Sequence, residues 1–226
     1  MPSFEVADLG RIGFAEAYRL QQDVVERRKA GLIPDQLLLI EHHPVVTMGR
    51  NGHDSNLLAT PDLLARSGIA FYRTDRGGDV TYHGPGQLVA WPVMDLREWK
   101  RDVGAYVRAL EQIVIDTLAD FHIAAGRIEG LTGVWVGGSK ICAIGVHLSR
   151  WVTSHGMALN VATDLSHFQF IVPCGLTRPV TSMSALGCPA SLREVQPRLT
   201  YHFGRVFGLQ PAAAPIEDFS QLERIA

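Results

Sequence analysis

Apolar positions along this chain recur with two periods, and the switches between them mark out most of its elements. Residues 13–29 set Phe14, Ala17, Tyr18, Val24 and Val25 near helical spacing ahead of a polar, basic end, which predicts an amphipathic helix. A short helix is expected to open at Thr60-Pro61-Asp62, a cap, a first-turn proline and an acid at the positive end, and to stop at Gly68. The strongest stripe is Val103, Tyr106, Val107, Leu110, Ile113, Val114, Leu118 and Phe121, stepping by threes and fours. A last long helix takes Ser191 as its cap and runs through Phe203 to Gly208, with Pro197 kinking it or sitting in its first turns.

The other period is two. Gln36–Glu41, Ile69–Arg73, Leu88–Met94, Leu131–Val136, Lys140–Ser149 and Met157–Val161 are short, β-branched and bounded by Gly, Pro or Asp, and read as strands. Helices scattered irregularly among many strands predict an α/β (α+β) fold with a mixed, largely antiparallel sheet flanked by helices. No linker interrupts the pattern, and the Pro-Ala-Ala-Ala-Pro stretch at 211–215 precedes only a short final helix. Residues 1–226 read as one domain.

Composition narrows the class. A chain of 226 residues, 46% apolar and 19% charged with a net charge of −2, is globular and needs no metal or disulfide to fold. Disorder, collagen-like repeats and coiled coil are excluded, and a near-neutral balance argues against nucleic acid as a partner. No apolar run approaches a membrane span, and the first residues lack a basic stretch followed by an apolar one. A cytoplasmic protein with no membrane partner is expected. It is expected to be a monomer, because no exposed apolar helix stands out. Three cysteines without CxxC spacing suggest reduced thiols, and no histidine or carboxylate pattern suggests a metal or other cofactor.

Of 21 basic residues only three are lysines, and their settings differ. Lys29 and Lys100 lie in charged runs, as on solvated faces. Lys140 follows two glycines at the mouth of an apolar strand, with no charged neighbour. It is either a strand-edge lysine that snorkels to water or one that enters an apolar surface and needs a partner. Strand alternation sets Lys140 on one face with Cys142, Ile144 and Val146. Cys142 itself reads as core. Cys174, between Pro173 and Gly175, stands in a turn and is either inert or, beside a positive group, a nucleophile.

The segment from Arg76 to Gln87, RGGDVTYHGPGQ, packs four glycines and a proline among polar side chains. It lacks the spacing of a phosphate loop. It reads either as a glycine-rich hairpin or as a loop whose backbone approaches a ligand. His42 and His43 have no ligand spacing and read as structural, as do His122, His147, His167 and His202.

That segment resembles the RGGxxTYHGPGQ signature of the lipoyl(octanoyl) transferase family. The match extends in order to Thr132–Val136, Lys140–Gly145, His155–Val161 and Pro173–Leu176, and similarity covers most of residues 35–200. Trp91 departs from the family's usual Tyr but keeps a large aromatic. The resemblance implies the fold of biotin/lipoate protein ligase catalytic domains. It also implies transfer of an octanoyl group from octanoyl-acyl carrier protein to a lysine of lipoyl domains, those of 2-oxoacid dehydrogenase E2 subunits and glycine cleavage H protein. Cys174 matches the cysteine that accepts the acyl group and Lys140 the lysine that activates it. Arg76, Gly77, Gly78, Asp79, Val80, Thr81, Tyr82 and His83 match one block lining the acyl site. Ala143, Ile144 and Gly145, then Gly156, Met157 and Ala158, match two more. His83 or His155 is a candidate for moving a proton. Burying the acyl tail is worth at most roughly 5–6 kcal/mol, so chain-length preference should be graded. Rivals are an ATP-dependent lipoate or biotin ligase, a cysteine-dependent lipoyl amidotransferase, and a non-catalytic binder of acyl chains or lipoyl domains.

Overall fold

The structure, a computed structural model, describes residues 2–172 and 178–213. Cys174 and the expected final helix therefore lie outside the described residues.

Runs such as Leu37-Leu38-Leu39-Ile40 are apolar at every position because their strand is buried on both sides. Leu37 and Leu39 join one hydrophobic cluster, while Leu38 and Ile40 join another on the opposite face. This strand is β2 (Asp35–His42), inside an eight-stranded sheet ordered β11-β1-β2-β6-β10-β9-β8-β7. The others are β1 (Ser3–Ile12), β6 (Gln87–Val93), β7 (Gly126–Ile128), β8 (Leu131–Val136), β9 (Ser139–Ser149), β10 (Val152–Asn160) and β11 (Gln210–Ala213). Only β11, β1 and β2 run parallel to one another, so the sheet is mixed and largely antiparallel, as expected.

Helices α3 (Val103–Ala119) and α4 (Leu192–Phe207) cover one face, burying Tyr106, Leu110, Ile113, Val195, Leu199 and Phe203. Their starts are chemically fixed. The Asp102 carboxylate accepts from Ala105 N–H at 2.9 Å, and Ser191 and Glu194 form a capping box. Pro197 is accommodated inside α4. Helix α1 (Phe14–Lys29) packs on the other face through Phe14, Ala17, Leu20, Val24 and Val25. Helix α2 (Pro61–Arg66) is capped by Thr60, as its sequence predicts. None of the described helices is long and apolar enough to cross a membrane.

A second sheet orders β4 (Ala70–Arg73), β3 (Val45–Met48) and β5 (Val80–His83) around its own cluster of Val46, Met48, Val80, Tyr82 and Ile171. This corrects the hairpin reading of residues 76–87. β5 pairs with β3 and β6 with β2 and β10, so the Gly84-Pro85-Gly86 turn carries the chain from one sheet to the other.

The alternation placed on β9 also needs correction. Val134 pairs with Cys142, but Trp135 pairs with Lys140, which leaves Ile141 as the extra residue of a β-bulge. Cys142, Ile144 and Val146 do share the face covered by α3 and α4. Lys140 is turned to the other face with Trp135, its Nζ 4.8 Å from the ring centroid. Cys142 is fully buried, and burial pushes its thiol up to about 12.

Candidate active site

The Arg76-Gly77-Gly78 turn docks on β9 backbone to backbone. Gly77 N–H donates to Val146 O at 2.9 Å. A Cβ on Gly145 would lie 2.8 Å from Gly77 O, so only glycine allows this approach. Beside the contact opens a narrow cleft. Its polar side carries Arg76, Thr81, His83 and His155; its apolar side carries Phe14, Val89, Trp91, Ile144, Met157 and Ala158. Gly78, Ala143, Gly145 and Gly156 complete the lining.

Ten of the fourteen residues expected to line the acyl site thus meet at one place, and the other four do not line the cleft. Val80 and Tyr82 point into the core of the small sheet, where the Tyr82 hydroxyl bonds His167 Nδ1 at 2.7 Å. Asp79 organises the neighbouring loop, accepting from His53 N–H, Val80 N–H and the Asn56 amide. Gly77 supplies the backbone contact with β9.

Arg76 is buried and donates to the carbonyl and hydroxyl of Thr47 at 2.7 and 2.9 Å. The His83 ring spans Thr47 Oγ1 at 3.4 Å and Gln87 Oε1 at 2.7 Å. Burial drives the His83 imidazole well below its ordinary value, and the nearby His42 and Arg76 act in the same direction. A neutral ring that donates from Nδ1 to Gln87 accepts a hydrogen bond from the Thr47 hydroxyl at Nε2, so both nitrogens are engaged. Gln87 then donates to Asn160 Oδ1 at 2.9 Å, and Asn160 donates to Thr181 O at 3.0 Å. Thr181 N–H donates to Lys140 O at 2.9 Å. One hydrogen-bonded path therefore joins the cleft to the backbone of Lys140.

His155 is buried and held at φ 56°, in left-handed backbone rarely adopted by a side-chain-bearing residue. Its Nε2 lies 2.8 Å from Asp75, which also accepts from the Tyr18 hydroxyl at 2.9 Å. Those bonds hold the Asp75 carboxyl well below the usual carboxylate range. Burial lowers the His155 imidazole against the opposing pull of Asp75. Tyr18 is pushed up to about 12 by burial and by the Asp75 bond.

Sequence reasoning missed Thr47, Asp75, Thr181, Phe14 and Val89 as parts of the site. Asp75 sits next to the arginine of the signature, which was its only local signal. Thr47 is one polar residue in a four-residue strand, and nothing local marks it.

Lys140 stands apart from the cleft lining. It is 7% exposed, its N–H donates to Pro179 O at 2.9 Å, and it bridges Val180 in parallel register. The segment that follows Pro173–Thr177 is thereby fixed beside the lysine.

Known proteins resemble this chain in sequence and in fold. The family model of the lipoyl protein ligase A/B catalytic domain matches residues 14–204. An octanoyltransferase of Solibacter usitatus is 67% identical over 89% of this chain and 92% of its own length. One of Koribacter versatilis is 50% identical over 90% and 84%. Among solved structures, a bipartite lipoate protein ligase from Thermoplasma acidophilum superposes with a TM-score of 0.80 at 19% identity, covering 99% of this chain and 91% of that one. At that identity the likeness speaks to the fold, which is that of lipoate protein ligases. With a family model spanning most of its length and relatives this similar, the chain belongs to the lipoyl protein ligase A/B catalytic domain family.

Proposed function

We propose that this chain is an octanoyltransferase that carries the acyl group as a thioester on Cys174. The donor is octanoyl-acyl carrier protein. The acceptor is a lysine of lipoyl domains, those of 2-oxoacid dehydrogenase E2 subunits and glycine cleavage H protein. The supporting observation is the setting of Lys140, a buried lysine joined by backbone bonds to the segment at Pro179–Thr181. Cys174 lies five residues before Pro179, within at most about 18 Å of extended chain. Relatives at 50% and 67% identity that bear the name octanoyltransferase support the same reaction.

In the first half-reaction Cys174 gives its proton to the Lys140 amine, and the thiolate attacks the thioester carbonyl. A new carbon–sulfur bond forms as the carrier's breaks, and the departing thiolate takes the proton from the Lys140 ammonium. One thioester replaces another, so no ATP is consumed. In the second, the acceptor amine attacks the enzyme thioester. An amide forms, the bond to Cys174 breaks, and the amine's surplus proton passes through Lys140 to the departing Cys174 thiolate, restoring the thiol. The cleft suits the acyl tail, with aromatic and aliphatic walls at one side and Arg76 and Thr81 at the other.

Intact-mass measurement after mixing with octanoyl-acyl carrier protein tests this directly. One octanoyl adduct is expected on the wild type and none on Cys174→Ala. Lys140→Arg keeps the charge but cannot return a proton, so turnover should fall at least about a hundred-fold. Full transfer by Cys174→Ala would overturn the covalent mechanism, and activity only with ATP and free octanoate would transfer the case to the ligase reading.

A further inference from the structure

Lys140 is seated by three neighbours that the reaction scheme has not used. The Trp135 ring lies under its Nζ, 4.8 Å from centroid to nitrogen. Arg178 approaches the same ring, its Cζ 6.0 Å from the centroid. Gly133, at φ 122°, leaves the space its Cβ would take, 3.4 Å from Lys140 Cε and 2.7 Å from Cys142 O. Its N–H is held at 3.1 Å by the buried Glu111 carboxylate, which also pairs with Arg127. Trp135 is 3% exposed, and its indole N–H has no hydrogen-bond partner among the described residues. What the residue offers the site is its face, not its polar edge.

We propose that Trp135 is a positioning residue for acyl transfer: its ring face holds Lys140 and favours the ammonium. An ammonium is the state in which Lys140 has accepted the thiol's proton, so the ring stabilises the thiolate–ammonium pair over thiol and amine. This inference rests on the reading of Lys140 and Cys174 as proton partners. The β-bulge at Ile141 is what makes it geometrically available, because it turns Lys140 to the Trp135 side.

The test is single-turnover acylation by octanoyl-acyl carrier protein, followed by intact mass across pH. Wild type, Trp135→Phe and Trp135→Leu are compared, each checked for folding by thermal unfolding. An adduct on the wild type is the precondition; its absence would defeat the reaction scheme, not the role of the ring. With the adduct present, Trp135→Leu is expected to acylate roughly five- to thirty-fold more slowly. Its pH profile should move downward, because an ammonium that has lost the ring gives up its proton more readily, while the donor concentration for half-maximal rate stays nearly unchanged. Trp135→Phe, which keeps an aromatic face, should recover most of that loss. A leucine variant with the wild-type rate and pH profile would overturn the proposal, as would a phenylalanine variant no better than leucine. Should the leucine variant not fold, site-specific tetrafluorotryptophan at 135 keeps the shape and withdraws the ring's negative face. It should slow acylation likewise, and an unchanged rate would again overturn the proposal.

Discussion

At the scale of single residues, three buried histidines around the cleft are all lowered by burial, and His42 shows what that does to stability. It is fully buried against Phe14 and Trp91, donates from Nδ1 to Ile12 O at 3.3 Å, and has no partner for Nε2 among the described residues. Burial pulls it down to about 4. The unfolded chain protonates it near 6.5, so below that pH the unfolded state binds the extra proton first. The stabilisation is full above about pH 6.5 and is lost as pH falls toward 4, worth roughly 3 kcal/mol in all. His83 and His155 act in the same sense. His42→Phe should therefore flatten the fall of Tm between pH 6.5 and 4; an unaltered slope would place the effect elsewhere. Residues with an unusual sequence setting were legible in advance. Lys140 stood out because it is a lone lysine at an apolar strand, and Arg76 because glycines surround it. Thr47 and Thr181 were not, since their roles arise only when distant strands meet.

Elements were legible where their own chemistry defines them. Caps and stripes announced the four α-helices of the described residues, and α1 and α2 fall within a residue or two of expectation. The strands missed were β1, β3, β5, β7 and β11. β1 and β11 carry exposed and polar positions, and β5 lies in a glycine-rich stretch whose local signals favour a turn. Pairing with β3 overrides those signals. β10 begins five residues before its expected start, because Val152–Gly156 has little apolar alternation yet is buried. The seam between the 76–78 turn and β9 belongs to this scale as well. Gly145→Val should push the turn off the strand, lowering stability by about 1–3 kcal/mol and slowing transfer. A urea midpoint and a transfer rate both equal to wild type would show that the seam supports neither.

Across the whole molecule, charge is used sparingly and in the interior as well as on the surface. Arg28, at the end of α1, is buried with Asp35 at 2.8 Å and reaches Asp95 at 4.0 Å and Glu98 at 2.8 Å. It ties a helix end, the start of β2 and the loop after β6 into one knot. Arg28→Ala leaves the buried Asp35 carboxylate without its cation and should cost about 3–5 kcal/mol; a loss below 1 kcal/mol would mean that water replaces the guanidinium. The fold class was readable because period and order alone specify layers. The side of the sheet on which the reactive lysine lies was not, and Ile141 is the reason. Considered as counting, β9 carries one residue more than alternation needs to set Lys140 opposite Cys142. Removing Ile141 leaves the two as sequence neighbours, which a regular strand also points to opposite faces. Deletion at 141 is thus the one-residue loss whose parity this strand can absorb. A chain shortened there would give up a fully buried side chain, and with it stability, yet still present its lysine to Trp135.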